Sequence, residues 1–144
     1  MRKKKTVLVF GVFDALHDGH RFFLREAHRR GELLIVAVAP DAVVRELKGM
    51  SPKEPLRKRL AAVRREGLAD RVVPGDAQIN DWGILKEYKP SVIALGYDQT
   101  KLGKELRVYR TKNFLSFRVA VIAAHIPVRL HSRFLRKRQE TTWR

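Results

Sequence analysis

Two imidazoles three residues apart, His17 and His20, flank Asp18-Gly19 just after the apolar run Val7 to Val12, and this stretch is the part of the chain best equipped for chemistry. The β-branched run reads as a buried strand, Gly11 permits a sharp exit, and an amphipathic helix pattern begins at about Gly19. A strand, tight turn and helix in direct succession aim backbone N–H groups and the positive end of a helix at one spot, which suits it to bind phosphate. If both histidines lie in the first helical turn they share a face and can grip one anion between them. Gly19 would let a phosphate approach the backbone without meeting a Cβ. A histidine pair at a helix start is, taken alone, more often a cap or a packing element than a catalytic one.

The elements that would position this pair follow from periodicity. Residues 21–30 carry apolar side chains at Phe23, Leu24 and Ala27, the spacing of a helix packed on one face, and Gly31 ends it. Leu33 to Ala39 is a second apolar run of strand length, so strand, helix and strand form a βαβ unit with a parallel pairing and a right-handed crossover. Pro40-Asp41 opens a short helix through about Leu47, broken by Lys48-Gly49-Met50-Ser51-Pro52. A helix runs from Pro55 to Gly67, with Leu56, Leu60 and Val63 inward and Arg57, Lys58, Arg59, Arg64 and Arg65 among its cations. Further strands are expected at 71–74, 91–95 and 117–124, and further helices at 79–88, 104–112 and from Ser132 to Arg138. His28 has no evident companion and is assigned to the surface.

Alternating strands and helices predict an α/β fold, a doubly wound, Rossmann-like parallel sheet of five strands. In such sheets ligands bind beyond the carboxyl ends of the strands, where the strand order reverses. Gly11 to His20, Lys48-Gly49 and Gly96 to Gln99 all fall at strand carboxyl ends, so they converge although they are far apart in sequence.

The chain of 144 residues reads as one domain, 1–144, with a core at about 6–138. No apolar run approaches the roughly 18 residues of a membrane span. Residues 1–5 have the charge of a leader, but Thr6 to Val12 is too short for one, and the start reads as a cytoplasmic amino terminus. The absence of cysteine excludes disulfides, thiolate metal sites and a cysteine nucleophile. Lys and Arg number 31 against 15 Asp and Glu, a net charge of +16, and such a surface attracts polyanions in general.

The string GVFDALHDGH resembles the signature GxFDxxHxGH of the cytidylyltransferase-like nucleotidyltransferases, with Gly11, Phe13, Asp14, His17, Gly19 and His20 at its fixed positions. These enzymes join a nucleoside triphosphate to a phosphorylated small molecule and release pyrophosphate. The resemblance implies a nucleotide-binding loop of Gly11, Val12, Phe13, Asp14, His17, Gly19 and His20, in which the two imidazoles donate to the α- and β-phosphate oxygens. Asp14 would orient a histidine or hold the turn. PLRKRLAAV looks like the family's arginine-bearing helix and ELKG like its lysine loop, which gives Arg57 and Lys48 the task of neutralising the leaving pyrophosphate or the acceptor phosphate. LGYDQ resembles the fourth-strand motif that contacts ribose or base, through Asp98. The family's closing Ser/Thr cluster is reduced here to Ser132, with His131 and Arg133 beside it.

ELKG with LGYDQ is nearer in pattern to the archaeal-type FAD synthetases than to the cytidylyltransferases. ATP and FMN are therefore the expected substrates, ahead of CTP and an alcohol phosphate such as glycerol 3-phosphate. Mg²⁺ is expected to arrive on the triphosphate oxygens, with no metal site built from the protein alone. A competing reading of another class is a nucleic-acid-binding protein on the same scaffold; the +16 charge favours it, and no recognised nucleic-acid motif does. The sequence leaves the oligomeric state open and is compatible with a homodimer.

Overall fold

The computed structural model describes residues 3–123; the helix expected from Ser132, and Ser132 itself, lie outside the described residues. The elements in chain order are β1 (Thr6–Gly11), α1 (Asp18–His28), β2 (Leu33–Val38), α2 (Asp41–Lys48), α3 (Leu56–Glu66), β3 (Arg71–Pro74), α4 (Gly83–Tyr88), β4 (Val92–Gly96), α5 (Thr100–Lys112) and β5 (Arg118–Ile122). The strands form one sheet in the order β3-β2-β1-β4-β5, and every pairing is parallel.

β1, β2 and β4 are covered on both faces, which is why they read as unbroken apolar runs. Val7 and Val9 of β1 point into a core closed by Phe23, Leu24, Leu60 and Val63 from α1 and α3. Leu8 points the other way, into a core with Ile84, Leu85 and Leu106 from α4 and α5. The chain moves outward from β1 to β3 and then returns to place β4 on the other side of β1. The strand order therefore reverses between β1 and β4, and a crevice opens there at the carboxyl ends.

Several boundaries differ from the sequence reading for local reasons. α4 starts at Gly83 and not at Ile79, because Asn80 and Trp82 hold left-handed backbone at φ 63° and 60°. The Asp76 carboxylate then accepts the Ile84 N–H at 3.1 Å and fixes the start of the helix. α5 begins at Thr100 and not at Lys104. α2 includes Lys48, and Gly49 closes it at φ 77°, where a side chain would be strained. His28, expected to stand alone, meets Asp70 at 3.1 Å, and the same carboxylate oxygen accepts the Leu34 N–H at 2.7 Å.

Candidate active site

His17 is the N-cap of α1 and His20 its third residue, so the two bracket the first turn and their rings lie on one side of it. His17 Nδ1 accepts the Gly19 N–H at 3.0 Å, and His20 Nδ1 accepts the His17 N–H at 3.1 Å. This is a reciprocal capping box in which imidazoles stand where Ser or Thr and Glu usually do. The rings stack, with centroids 3.8 Å apart and planes at 28°. Capping is thus part of what the pair does.

The same bonds fix its chemistry. Each Nδ1 accepts from an N–H and so holds no proton, which puts the proton of the neutral ring on Nε2. Two of the backbone donors expected to face a phosphate, including that of Gly19, are engaged by the rings. The rings carry the positive end of the helix on to their Nε2–H edges, as polarised hydrogen bonds in series do. His20 is buried at 3% exposure and packs on Phe13, whose ring centroid lies 5.4 Å away, while His17 is exposed.

Gly11 serves the turn differently from what its sequence position suggests. It remains in β1, paired with Val38, and the left-handed residues are Phe13 at φ 53° and Ala15 at φ 52°. A bulky residue in that region is strained, and such strain gathers where a site over-determines the backbone. Gly11 is needed because the buried Phe13 ring lies over it; a Cβ would come within 2.5 Å of Phe13 Cε2.

Asp14 holds the turn and does not orient a histidine through the bonds described: its carboxylate accepts the N–H groups of Lys53 and Glu54 at 2.7 and 3.0 Å. Glu54 answers by accepting the Ala15 N–H at 3.3 Å. The segment before α3 is thereby latched to the signature loop. Arg59 completes the latch. It is fully buried and donates to the carbonyls of Val12 (2.9 Å), Ala39 (2.7 Å) and Glu54 (2.9 Å) and to the Asp41 carboxylate (2.6 Å). One guanidinium thus ties together the exits of β1 and β2, the start of α2 and the approach to α3.

Lys48 ends α2, half-buried, and Arg57 is exposed in the first turn of α3. In sequence the two bracket the latched segment, residues 53–54. Val12 is buried, and its part in the latch is its carbonyl.

Asp98 follows β4 and lines, with Gly11, a cavity of about 290 Å³ at the carboxyl edge of the sheet. Its apolar wall includes Phe10, Val43, Leu47, Ile79, Trp82 and Leu102. Gln99, a residue to which the sequence reading gave no role of its own, is 2% exposed. It accepts the Gly96 N–H at 2.8 Å and donates to the Phe10 carbonyl at 2.9 Å, joining β4 to β1 at the point where the crevice opens.

Known proteins resemble this chain in sequence and in fold. The family model described as cytidylyltransferase-like matches residues 8–138. The FAD synthase of Thermococcus kodakarensis is 43% identical over 110 residues, 74% of each chain. That of Thermococcus sibiricus is 40% identical over 98 residues, 68% of this chain and 66% of its own. The chain therefore spans about two thirds to three quarters of the length of these relatives. Among solved structures, a lipopolysaccharide core biosynthesis protein from Thermoplasma volcanium superposes with a TM-score of 0.80 at 31% identity, over 86% of this chain and 100% of that one. A histidine-capped first helix at the reversal point of a five-stranded parallel sheet and a family match over nearly the whole chain agree: the chain belongs to the cytidylyltransferase-like family.

Proposed function

We propose that the chain, acting as a single domain, is an adenylyltransferase that joins AMP from ATP to the phosphate of FMN and releases pyrophosphate. The observation that carries this reading is the pair of Nε2–H edges at the start of α1, presented by rings whose Nδ1 atoms are committed to the backbone. FMN as acceptor draws on the FAD synthase relatives and on the apolar cavity next to Asp98, which is far larger than a glycerol phosphate needs.

An oxygen of the FMN phosphate attacks the α-phosphorus. The new P–O bond forms as the bond to the bridging oxygen of the β-phosphate breaks, and that electron pair leaves with pyrophosphate. No protein nucleophile is needed; positioned donors and cations stabilise the charge that builds on the phosphorus oxygens. His17 and His20 donate from Nε2 to the α- and β-phosphate oxygens. Lys48 and Arg57 neutralise the pyrophosphate or the acceptor phosphate, and Asp98 contacts the nucleoside. Ser132 is a further phosphate donor in this reading.

Nucleotidyltransferases generally use Mg²⁺ with the triphosphate. Mg²⁺ is proposed to arrive bound to ATP, since it keeps several waters and is held largely by substrate phosphates. No helix among the described residues is long and apolar enough to cross a membrane.

Base choice is the sharpest test. A site that hydrogen-bonds one base edge leaves buried groups unpaired with another base, so ATP should exceed CTP strongly. Pyrophosphate release from each of the four triphosphates, with and without FMN, is expected only with ATP and FMN together. CTP turnover above ATP turnover contradicts the base assignment, and ATP turnover with some other acceptor alone contradicts FMN.

A further inference from the structure

The loop between β3 and α4 carries features that the phosphate chemistry does not use. Asn80 and Trp82 both have left-handed backbone, which is tolerable for Asn but costly for a bulky aromatic. The loop is held at two points. The Asp76 carboxylate caps α4, with Gly83 so close that a Cβ would lie 2.8 Å from Asp76 Oδ1. Asn80 Nδ2 donates to the Glu105 carboxylate on α5. Between these anchors Trp82 lines the cavity, braced by Tyr109, which lies outside the cavity wall with its ring centroid 5.3 Å from that of Trp82.

We infer that Trp82 determines acceptor specificity: it is the wall on which the planar ring system of the acceptor stacks inside the cavity. The inference rests on FMN, or another phosphate ester of a planar heterocycle, being the acceptor. Charge fixes the direction of entry. Asp76, Asp98 and Glu105 line the cavity with Lys101 as the cation among its described lining residues, although the chain as a whole carries +16. A phosphate is repelled from such a place, while an uncharged ring is accepted on its apolar wall. The ring therefore enters first, and the phosphate stays at the mouth, where Gly11 leads into the histidine-bearing turn. An aromatic indole gives a ring a stacking partner, and the pinned loop keeps that indole in place before the ligand arrives.

The test uses Trp82→Ala, Trp82→Phe and a Trp143→Phe background in which Trp82 is the sole tryptophan. Trp82→Ala should raise KM for FMN by roughly tenfold or more, as loss of a stacking platform does, with KM for ATP unchanged and kcat within a few-fold. Trp82→Phe should restore most of the affinity. In the Trp143→Phe protein, riboflavin, which has the ring but no phosphate, should quench Trp82 fluorescence and compete with FMN; glycerol 3-phosphate should do neither.

FMN turnover with a KM indifferent to Trp82→Ala, or without quenching by riboflavin, overturns the stacking role and leaves FMN adenylylation standing. Quenching by riboflavin with no FMN turnover does the reverse: the ring site stands and the reaction assignment falls. Should Trp82→Ala fail to fold by circular dichroism, the Phe variant and the quenching measurement decide, and absence of quenching overturns the inference.

Discussion

Replacing either His17 or His20 by Asn should lower kcat by roughly 10²-fold or more while the fold survives, comparable to removing one oxyanion donor. Asn suits this experiment because each imidazole does two things through two different atoms. His17 Nδ1 caps the helix, where Asn is among the residues that cap best, and at His20 the Asn oxygen stands where Nδ1 does and can accept the His17 N–H. It has no group that reaches the Nε2 position, so the donor to phosphate is lost. His→Ala removes both functions, and the difference between the two variants isolates the cap, worth about 1 kcal/mol. Thermal unfolding should therefore separate Ala from Asn, whereas steady-state rates should not. Activity of the Asn variants within a few-fold of wild type would show that the pair is a capping device and nothing more.

Arg59→Met should be among the most destabilising substitutions in the chain, by about 2–4 kcal/mol, because each buried acceptor left without its donor costs roughly 1–3 kcal/mol. It leaves the Val12 and Ala39 carbonyls and the Asp41 carboxylate without their donor, and Arg59 itself is 0% exposed. Set against a total stability of about 5–15 kcal/mol, this is a large fraction, and a loss of 3 kcal/mol lowers Tm by roughly 6–12 °C at this size. Arg59→Lys keeps a charge for Asp41 but not the fork that reaches several acceptors at once, so it should fall between the two. Urea unfolding provides the measurement, and a change under 1 kcal/mol in Arg59→Met would contradict the role assigned to the latch. Arg57→Met serves as the control, since its side chain is exposed in the same helix.

That pair of arginines also marks what the sequence makes legible. The strands are easy to read because β1, β2 and β4 are buried on both faces and leave continuous apolar runs. The five-stranded parallel architecture follows from their alternation with helices. Within PLRKRL, attention falls on Arg57 through family resemblance, yet the inward arginine is Arg59. A signal for it exists: position 59 lies three after Leu56 and four before Val63, on the face that those residues bury. A cation on that face needs an anion, and Asp41 supplies it from a segment that no periodicity links to α3.

The same limit applies to Asp14 and Gln99. Their residue types mark them as polar groups at a turn, but their partners, residues 53–54 and the Phe10 carbonyl, are set by tertiary placement. The left-handed backbone at Phe13, Asn80 and Trp82 is likewise invisible in sequence, because these positions lack the glycine that usually announces it. It is the reason α4 begins later than its apolar pattern suggests. Ser132 lies outside the described residues, and its weight is best measured directly. Ser132→Ala should cost about 1 kcal/mol of ATP affinity, as loss of one donor among several does. A loss as severe as that of His20→Asn would show that Ser132 carries the reduced final motif alone.

The central claim, transfer of an adenylyl group to FMN, is tested most directly by following labelled phosphorus from ATP in the presence of FMN and Mg²⁺. Label at the α-position should appear in FAD, and label at the γ-position should appear wholly in pyrophosphate, the two products rising together. Transfer of the γ-label to the acceptor, or release of pyrophosphate with no α-label in any flavin product, would contradict the account.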